Sequence, residues 1–475
     1  MSNGPNRGII TTLTQRKRKV IAMDFLSHVK ENEKMIVETL KKLLRIPSVL
    51  ESYDSKSDTP FGENINKALH FMLERGKKDG FVIKNIDNYA AHIEYGEGED
   101  LIGVLTHLDV VPAQSAGWTT PPFEPTIRDG KLFARGSSDD KGPTIAAYFA
   151  LKFLKDLNVP IHKRVRLIMG TDEETKWRGI EKYFKTEEMP SLGFSPDATF
   201  PLIHGEKGIY TFDLKGAFEE DELVHFYSGE RYNVVPDVAR AKLTKDVSGA
   251  FKKFLKHNDY KGKVENGELI VYGKNAHAMT PNLGVNAAFI MAKFLRDHTQ
   301  NRFIHFIADH LSFDPFGEKL GIELNDPLMK NLTINPGIFV YDSGGGTIGV
   351  NIRYPQNFNL KSTALKISNQ AKRYRLTYTF NQNMPLHYVE KDEPFIDTLM
   401  QSYRKITNDE ENEPFTIGGG TYARALDKGV AFGMVMPGRK DVAHQIDEHI
   451  HLDDLIEGTA IYMEAIYALT RKDTE

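Results

Sequence analysis

LIGVLTHLDVVP, residues 101–112, is a largely apolar run that ends in two polar side chains. A short run of this kind is typical of a strand that is buried on both faces, as in a parallel sheet. His107 and Asp109 stand two positions apart at its end, so both side chains point the same way on an extended chain. Because ligands bind beyond the carboxyl ends of strands in open α/β sheets, this end is a candidate site.

Other segments place acidic residues at comparable positions. RVRLIMGTDEE, residues 164–174, predicts a strand whose polar tip carries Glu173 and Glu174, and SPDATFP, residues 195–201, carries Asp197. In ARGSSDDKGP, residues 134–143, Asp139 and Asp140 come just before a predicted helix, where the helix dipole favours negative charge. Adjacent glutamates diverge on an extended chain, so one can bind a metal while the other acts as a general base.

Taken singly, each of these patterns is more often an ordinary surface feature. A lone HxD is usually a turn pair, a DD before a helix is usually a solvated cap, and an EE pair is usually solvated charge. Their joint occurrence, each after an apolar strand or at a helix start, favours a metal site instead.

The order of the predicted elements indicates the fold class. Helices are predicted over residues 25–44, 63–79 and 141–157, and they alternate with the buried strands, which favours an α/β fold with a mostly parallel sheet. From about residue 209 strand-like runs dominate, and the helical pattern returns near residue 390. The sequence therefore predicts a discontinuous catalytic domain over residues 24–208 and 388–475. An inserted α+β domain would span residues 209–387, and residues 1–23 would form a mobile tail, with Met23 as an alternative start.

Composition excludes several classes of protein and site. The chain has 475 residues, of which 40% are hydrophobic and 27% charged, as in ordinary globular proteins. A net charge of −4 gives no field that favours nucleic acid or an anionic membrane. The absence of cysteine excludes disulfides, thiolate nucleophiles and cysteine zinc sites, so a metal would need histidine and carboxylate ligands.

Targeting signals give the expected location. No stretch is apolar for long enough to form a membrane helix. Near the N-terminus the basic cluster of residues 16–19 follows the first apolar residues, which is the wrong order for an export signal. A cytoplasmic protein is therefore expected.

Two glycine motifs do not support a nucleotide site. Gly344, Gly346 and Gly349 match GxGxxG formally, but the strand-like VNIRYP follows them, so a hairpin turn is predicted. Residues 418–420 are three glycines without the lysine of a P-loop. The sequence also contains no GxSxG motif.

Nine segments together resemble the M20 family of di-metal peptidases, and in particular its PepV-like dipeptidase branch. They occur in family order from about residue 25 onward: THLDVVPA, ARGSSDDKGP, GTDEET, SPDATFP, HGEKG, NAHAMTP, NIRYPQ, GGGTYAR and AHQIDE. The resemblance implies a zinc-peptidase-like catalytic domain with a lid. It also implies five metal ligands, which are His107, Asp139, Glu174, Asp197 and His444.

The resemblance further assigns roles within this set. Asp139 would bridge two ions, with His107 and Asp197 completing one site and the other two ligands the second. Glu173 would be the general base, Asp109 would orient His107, and the peptide bond between Asp139 and Asp140 would be cis.

Lid residues would bind the substrate. The resemblance implies that His277 stabilises the oxyanion, that Asn233 contacts substrate, and that Arg353 grips the substrate carboxylate with help from Gly420 and Thr421. The alternatives are a loop histidine for His277 and a surface arginine at a strand edge for Arg353. Because the insertion carries these residues within one chain, a self-sufficient monomeric site that closes by lid movement is expected.

The expected activity is a metal-dependent dipeptidase that acts on short peptides with free termini through a metal-bridging water. Two divalent ions are expected, with zinc favoured and manganese or cobalt as alternatives. A related alternative is an M20-type amide deacylase of N-acyl amino acids, although Asp at position 197, where many such deacylases have Glu, favours the peptidase. A non-catalytic scaffold is disfavoured because all five ligands and Glu173 are present.

Overall fold

The structure is a computed structural model that describes residues 24–218, 222–343 and 345–472. The predicted tail over residues 1–23 lies outside the described residues, as does Gly344. The helices are α1 (Phe25–Glu31), α2 (Glu33–Leu44), α3 (Glu63–Lys78), α4 (Lys141–Asp156), α5 (Arg178–Thr186), α6 (Ser248–His257), α7 (Ala287–Leu295), α8 (Arg302–Phe306), α9 (Leu360–Arg373), α10 (Pro394–Thr407) and α11 (Leu452–Thr470).

The strands form two large sheets and several short ribbons. In chain order they are β1 (Val82–Ile86), β2 (Ala90–Tyr95), β3 (Leu101–His107), β4 (Thr126–Arg128), β5 (Lys131–Phe133), β6 (Arg164–Gly170), β7 (Leu192–Ser195), β8 (Ala198–Thr199), β9 (Ile203–Glu206), β10 (Gly208–Gly216), β11 (Leu223–Glu230), β12 (Val238–Leu243), β13 (Lys261–Glu265), β14 (Glu268–Tyr272), β15 (Asn325–Asp326), β16 (Lys330–Asn331), β17 (Thr333–Asp342), β18 (Gly345–Tyr354), β19 (Thr377–Met384), β20 (His387–Tyr388), β21 (Phe415–Ile417), β22 (Gly429–Ala431), β23 (Met434–Val435) and β24 (His449–His451).

The first sheet is parallel at its centre and antiparallel toward its edges. Its order is β1-β2-β6-β3-β7-β22-β9-β20, with β21 also pairing with β9. Strand β3 is parallel to both β6 and β7, while β1, β2 and β20 are antiparallel to their neighbours. The mostly parallel sheet that the sequence predicts thus describes the centre. A short hairpin joins β1 to β2, whereas β2 and β20 pair with strands that are distant in the sequence.

Amphipathic helices bury one face of this sheet. Helices α1–α4, α10 and α11 contribute apolar side chains to one large core with β2, β3 and β6. A smaller core on the opposite face includes Ile180 and Tyr183 of α5 together with Tyr422. With helices on both faces, function is expected at the strand ends rather than on the sheet faces.

The predicted helix boundaries hold with one exception. The helices predicted from residues 63 and 141 are α3 and α4, each ending one residue earlier than expected. The single helix predicted over residues 25–44 is wrong, because Asn32 separates α1 from α2. The Asn32 side chain donates to the backbone oxygen of His28, which is the local competition with the helix that asparagine favours.

The second sheet is antiparallel throughout and has its own core. Its order is β13-β14-β12-β11-β17-β18-β10-β19, and α6–α9 pack against it. Strands β17 and β18 form the hairpin that the glycine motif predicts, with Asp342 paired to Gly345. The chain passes between the sheets at Lys207 and returns after Met384. No helix in the described ranges is both long enough and apolar enough to span a bilayer.

Candidate active site

Three neighbouring strands deliver the predicted metal ligands to one edge of the first sheet. Strand β3 ends at His107, β6 ends just before the loop that carries Glu173 and Glu174, and β7 ends two residues before Asp197. Asp139 and Asp140 precede α4, and the peptide bond between them is cis, as the resemblance implies. The strand order β6-β3-β7 therefore brings distant sequence segments to a single point.

Asp139 lies between the two histidines. Its Oδ1 is 3.0 Å from Nε2 of His107, and its Oδ2 is 3.0 Å from Nε2 of His444. The same nitrogen of His444 is 3.0 Å from the carboxylate of Glu174. One carboxylate thus contacts two imidazoles on opposite sides, which is the arrangement expected of a bridging ligand.

A second group shares His107. Asp197 Oδ2 lies 3.7 Å from Nε2 of His107. Ligand atoms of His107, Glu173 and Asp197 all lie within 4.8 Å of one another, and so do those of His107, Asp139 and Glu174. The donor atoms of one small divalent cation each lie about 2.0–2.2 Å from it and therefore lie close to one another, as the atoms of both groups do.

Asp109 connects the histidine to the acidic loop. The Nδ1 atom of His107 is 3.0 Å from the backbone oxygen of Asp109 and 3.5 Å from its carboxylate. That carboxylate accepts the backbone N–H groups of Glu173 at 3.1 Å and Glu174 at 3.0 Å. Asp109 therefore positions two neighbouring functional segments at once, which is more than the sequence predicts for it.

The electrostatics of the cluster are those of a site built for positive charge. Burial, together with the negative charges of Asp197 and Glu174, raises the pKa of Glu173 well above its ordinary value. Burial and the charge of Asp139 raise the pKa of Asp197 to about 7. Burial would also raise the pKa of Asp139, but hydrogen bonds from the two histidines lower it below its ordinary value. Crowded, buried carboxylates with oxygen and imidazole donors fit two divalent cations chemically.

Glu448 is a residue of this site that the sequence analysis did not single out. It is fully buried, and its Oε1 accepts the backbone N–H groups of Ser138 at 2.9 Å and Asp139 at 3.2 Å. Its Oε2 accepts from Nη1 of Arg135, which is also buried. The only signal in the sequence is that Glu448 ends AHQIDE and Arg135 lies in ARGSSDDKGP, two of the segments that carry the resemblance.

Arg353 is buried on a central strand of the second sheet. It is 5% exposed, on β18 between β10 and β17, so the alternative of a surface arginine at a strand edge is wrong. Its Nε donates to Asn351 Oδ1 at 2.8 Å, and its Nη1 donates to the backbone oxygen of Gly418 at 3.3 Å. Within the described ranges no carboxylate forms an ion pair with it, which leaves a buried positive charge uncompensated.

His277 and Asn233 lie on adjacent segments, which follow β14 and β11 of the second sheet. The backbone oxygen of Asn233 accepts from the N–H of Ala278, and Val234 forms a bridge with His277. His277 Nδ1 accepts the N–H of Met279 at 3.2 Å, so the proton of the neutral ring is on Nε2. The ring is accessible, yet the surrounding protein and the charge of Arg353 lower the pKa of His277 to about 4.

The glycine loop lies where the two sheets meet. An added Cβ at Gly418 would come within 2.9 Å of Met279 Cβ, so the loop touches the segment that carries His277. Thr421 donates both its N–H and its hydroxyl to the buried carboxylate of Glu206. The hydroxyl proton of Thr421 is thus already committed to Glu206, whereas Gly420 is exposed. No hydrogen bond among the described residues joins His277, Asn233 or Arg353 to the metal-ligand cluster.

Comparisons with known proteins show which family of chains this one resembles. Proteins of Staphylococcus aureus strains MRSA252 and NCTC 8325, each named "Putative dipeptidase", are 45% identical to the chain over 462 residues. Each match covers 93% of this chain and 98% of the relative.

Solved structures share the fold at low sequence identity. Human carnosine dipeptidase 1 has a TM-score of 0.59 at 15% identity, and the di-peptidase Dug1p of Saccharomyces cerevisiae has 0.56 at 13%. Both alignments cover 94% of this chain and 98% of the solved chain. The family profile described as "Peptidase family M20/M25/M40" matches residues 103–468, well over half of the sequence. The resemblance is therefore confirmed, and the chain belongs to peptidase family M20/M25/M40.

Proposed function

We propose that this protein is a di-metal dipeptidase that hydrolyses short peptides with free termini. The observation that carries the proposal is Asp139, whose two carboxylate oxygens each lie 3.0 Å from a different histidine, with Glu173 in the adjoining group. Membership of a peptidase family and the names of the 45% identical relatives support hydrolysis of peptide bonds.

Two divalent ions would be held by the converging side chains. Asp139 would bridge them, His107 and Asp197 would complete one site, and Glu174 and His444 the other. Zinc suits the two imidazoles and is favoured, and manganese or cobalt also suits a carboxylate-rich set. When bound, such ions supply Lewis acidity toward the scissile carbonyl and the attacking water.

Glu173 is the proposed general base. It takes the proton of the attacking water and then passes it to the leaving amine. Its carboxylate lies in one group with His107 and Asp197, which places it beside the proposed metal site. Asp109 fixes the backbone of Glu173 by accepting its N–H group, which keeps the base at a constant position.

Substrate binding is assigned to the second sheet and the glycine loop. His277, neutral and with its proton on Nε2, can donate to the oxyanion that forms as the carbonyl is attacked. Arg353 carries the uncompensated charge that a C-terminal carboxylate would neutralise. Gly420 and Asn233 would contact substrate through their exposed atoms, and Thr421 would hold the loop through Glu206.

We assign the catalytic domain to residues 24–208 and 388–475 and the lid to residues 209–387. Metal ligands and substrate-binding residues then come from one chain, which supports a monomeric enzyme. A cytoplasmic location is part of the same proposal.

An amide deacylase of N-acyl amino acids is the second candidate, because its substrates also end in a carboxylate that Arg353 could bind. A panel of dipeptides and matched N-acetyl amino acids, assayed with the metal-stripped protein reloaded with zinc, manganese or cobalt, separates the two. Faster hydrolysis of dipeptides is expected. Faster hydrolysis of the acetylated compounds would replace the first proposal with the second, and no hydrolysis with any metal would contradict both.

A further inference from the structure

Arg424 carries a donor that no group in the described structure uses. Its side chain is only 4% exposed, and Nη1 has no hydrogen-bond partner among the described residues. Nε lies 3.0 Å from the carboxylate of Glu206 in an ion pair but also makes no hydrogen bond among the described residues, and Nη2 donates to the backbone oxygen of Lys207 at 3.1 Å. An unused buried N–H of a charged group is costly unless a ligand completes it.

The free Nη1 lies under the glycine loop. A Cβ added to Gly420 would be 3.0 Å from Nη1 of Arg424 and 3.5 Å from Cδ1 of Ile209. Ile209 is the register partner of Arg353 in the pairing of β10 with β18. Gly420 and the Ile209–Arg353 pair therefore place the two arginines at the same pocket. Burial lowers the pKa of Arg353, and the charge of Arg424 lowers it further, to about 10.

The charges in this pocket do not balance. Arg353 and Arg424 bring two positive charges, and Glu206, which is 1% exposed, brings one negative charge. One positive charge is left over. A ligand with a single carboxylate would neutralise it and could accept the spare N–H.

We propose that Arg424 donates through Nη1 to the C-terminal carboxylate of the substrate, as a second guanidinium beside Arg353, and so makes the enzyme select peptides with a free C-terminus. This deepens the proposed function and rests on it for the kind of substrate. Gly420 lies against this buried Nη1, and a Cβ at that position would be within 3.0 Å of it, so any side chain there would crowd the donor.

A purely structural role makes a different prediction. Arg424 could act only as a brace that holds Glu206, which in turn holds Thr421 and the loop. Loss of a brace would weaken binding of every substrate alike. Loss of a carboxylate ligand would weaken only substrates that carry the carboxylate.

The test compares Ala-Ala with Ala-Ala amide, which differ only in the terminal charge. We measure kcat/KM for both, and their dissociation constants by calorimetry in the Glu173→Gln background, where turnover is blocked. The variants are Arg424→Met and Arg424→Lys, with Arg353→Met as the positive control and Glu206→Gln as the control for the brace. Far-ultraviolet circular dichroism and thermal unfolding check that each variant folds.

We expect Arg424→Met to reduce the preference for the free acid over the amide by about tenfold or more, mainly through KM. Arg424→Lys should recover part of this preference. Glu206→Gln should weaken both ligands and, because it removes the negative charge that offsets one arginine, should not lower the preference for the free acid. An unchanged acid-to-amide ratio in Arg424→Met overturns the inference, whatever the loss of overall activity, and so does a wild type that binds both ligands equally. Acid-selective binding without hydrolysis would contradict only the proposed chemistry.

Discussion

The backbone N–H of Glu173 donates to the carboxylate of Asp109 over 3.1 Å. The other oxygen of that carboxylate accepts from Glu174, so the two acidic residues that follow β6 share one anchor on the segment after β3. The segment that follows β3 therefore also fixes the loop that carries Glu173, the proposed base. Asp109, which orients His107, therefore also supports the segment that carries Glu174.

Replacing Asp109 with asparagine should lower activity by about 10–100-fold. An amide offers only one acceptor oxygen, and its NH₂ group would face a backbone N–H that needs an acceptor. We expect weaker metal binding as well, measured by titrating zinc into the stripped protein. Asp100→Asn, at an exposed position with a loose 3.7 Å ion pair to Lys163, is the matched control and should behave like the wild type. Normal metal affinity and kcat in Asp109→Asn would show that the anchor is dispensable.

Replacing Glu173 with alanine or glutamine should reduce kcat by about 10²–10⁴-fold and leave metal content unchanged. Glu173 removes a proton from water but is not among the five proposed metal ligands. Metal content is measured by elemental analysis after dialysis, alongside steady-state kinetics. A variant that keeps full metal-dependent hydrolysis would remove Glu173 from the role of base.

Replacing Glu448 with methionine should lower the free energy of unfolding by about 3 kcal/mol or more, because the buried guanidinium of Arg135 loses its charge partner. Two backbone N–H groups beside the proposed bridging carboxylate also lose their acceptor. Denaturant unfolding of the metal-stripped protein measures the change. The double variant Arg135→Met/Glu448→Met should be less destabilised than the sum of the two single variants, and simple additivity would show that the pair does not interact.

His277 should remain neutral between pH 5 and 8, because its pKa is lowered to about 4. The folded state then binds fewer protons than the unfolded state between about pH 4 and the ordinary value of 6.5. The contribution of His277 to stability is accordingly lost as pH falls through that window and is complete above it. Titration of the ring protons by NMR measures the pKa directly. A midpoint near 6.5 for His277 would contradict the prediction.

Metal removal should lower the unfolding temperature of the protein. The carboxylates of Asp139, Glu174 and Asp197 are held close together, so the cations that bind the folded state stabilise it by mass action. Thermal scans with a chelator and with graded zinc concentrations measure the shift. In the His107→Ala variant the dependence on zinc should be weaker, and a transition that is insensitive to metal in the wild type would speak against the site.

The sequence predicts best what depends on local pattern. His107, Glu173 and Asp197 follow apolar runs, and the rule that sites form at strand ends was sufficient to group them. Helices with a clear apolar stripe, such as α3 and α4, were also predicted to within a residue or two. The break at Asn32 was missed because a side-chain hydrogen bond interrupts a stripe that continues on both sides.

Local sequence pattern does not predict which residues pair when they are distant in the sequence. Glu206 and Arg424 lie 218 positions apart, and Arg135 and Glu448 lie 313 positions apart. Each pair consists of ordinary charged residues until the fold buries both members together. The antiparallel edges of the first sheet were missed for a similar reason, since strand direction depends on tertiary connections rather than on the composition of the strand.

In the described ranges the chain passes between the two sheets beside Lys207 and again between Met384 and His387, and these two crossings are neighbours. His387 pairs with Glu206 on one side of the gap, and Ile209 pairs with Met384 on the other. The two connections are one and two residues long and lie side by side. Such connections restrict twisting and sliding of one sheet relative to the other and allow rotation about the line that joins them. Arg353 and His277 both lie in the part of the chain between these crossings, so any rotation about that line would move the two residues together.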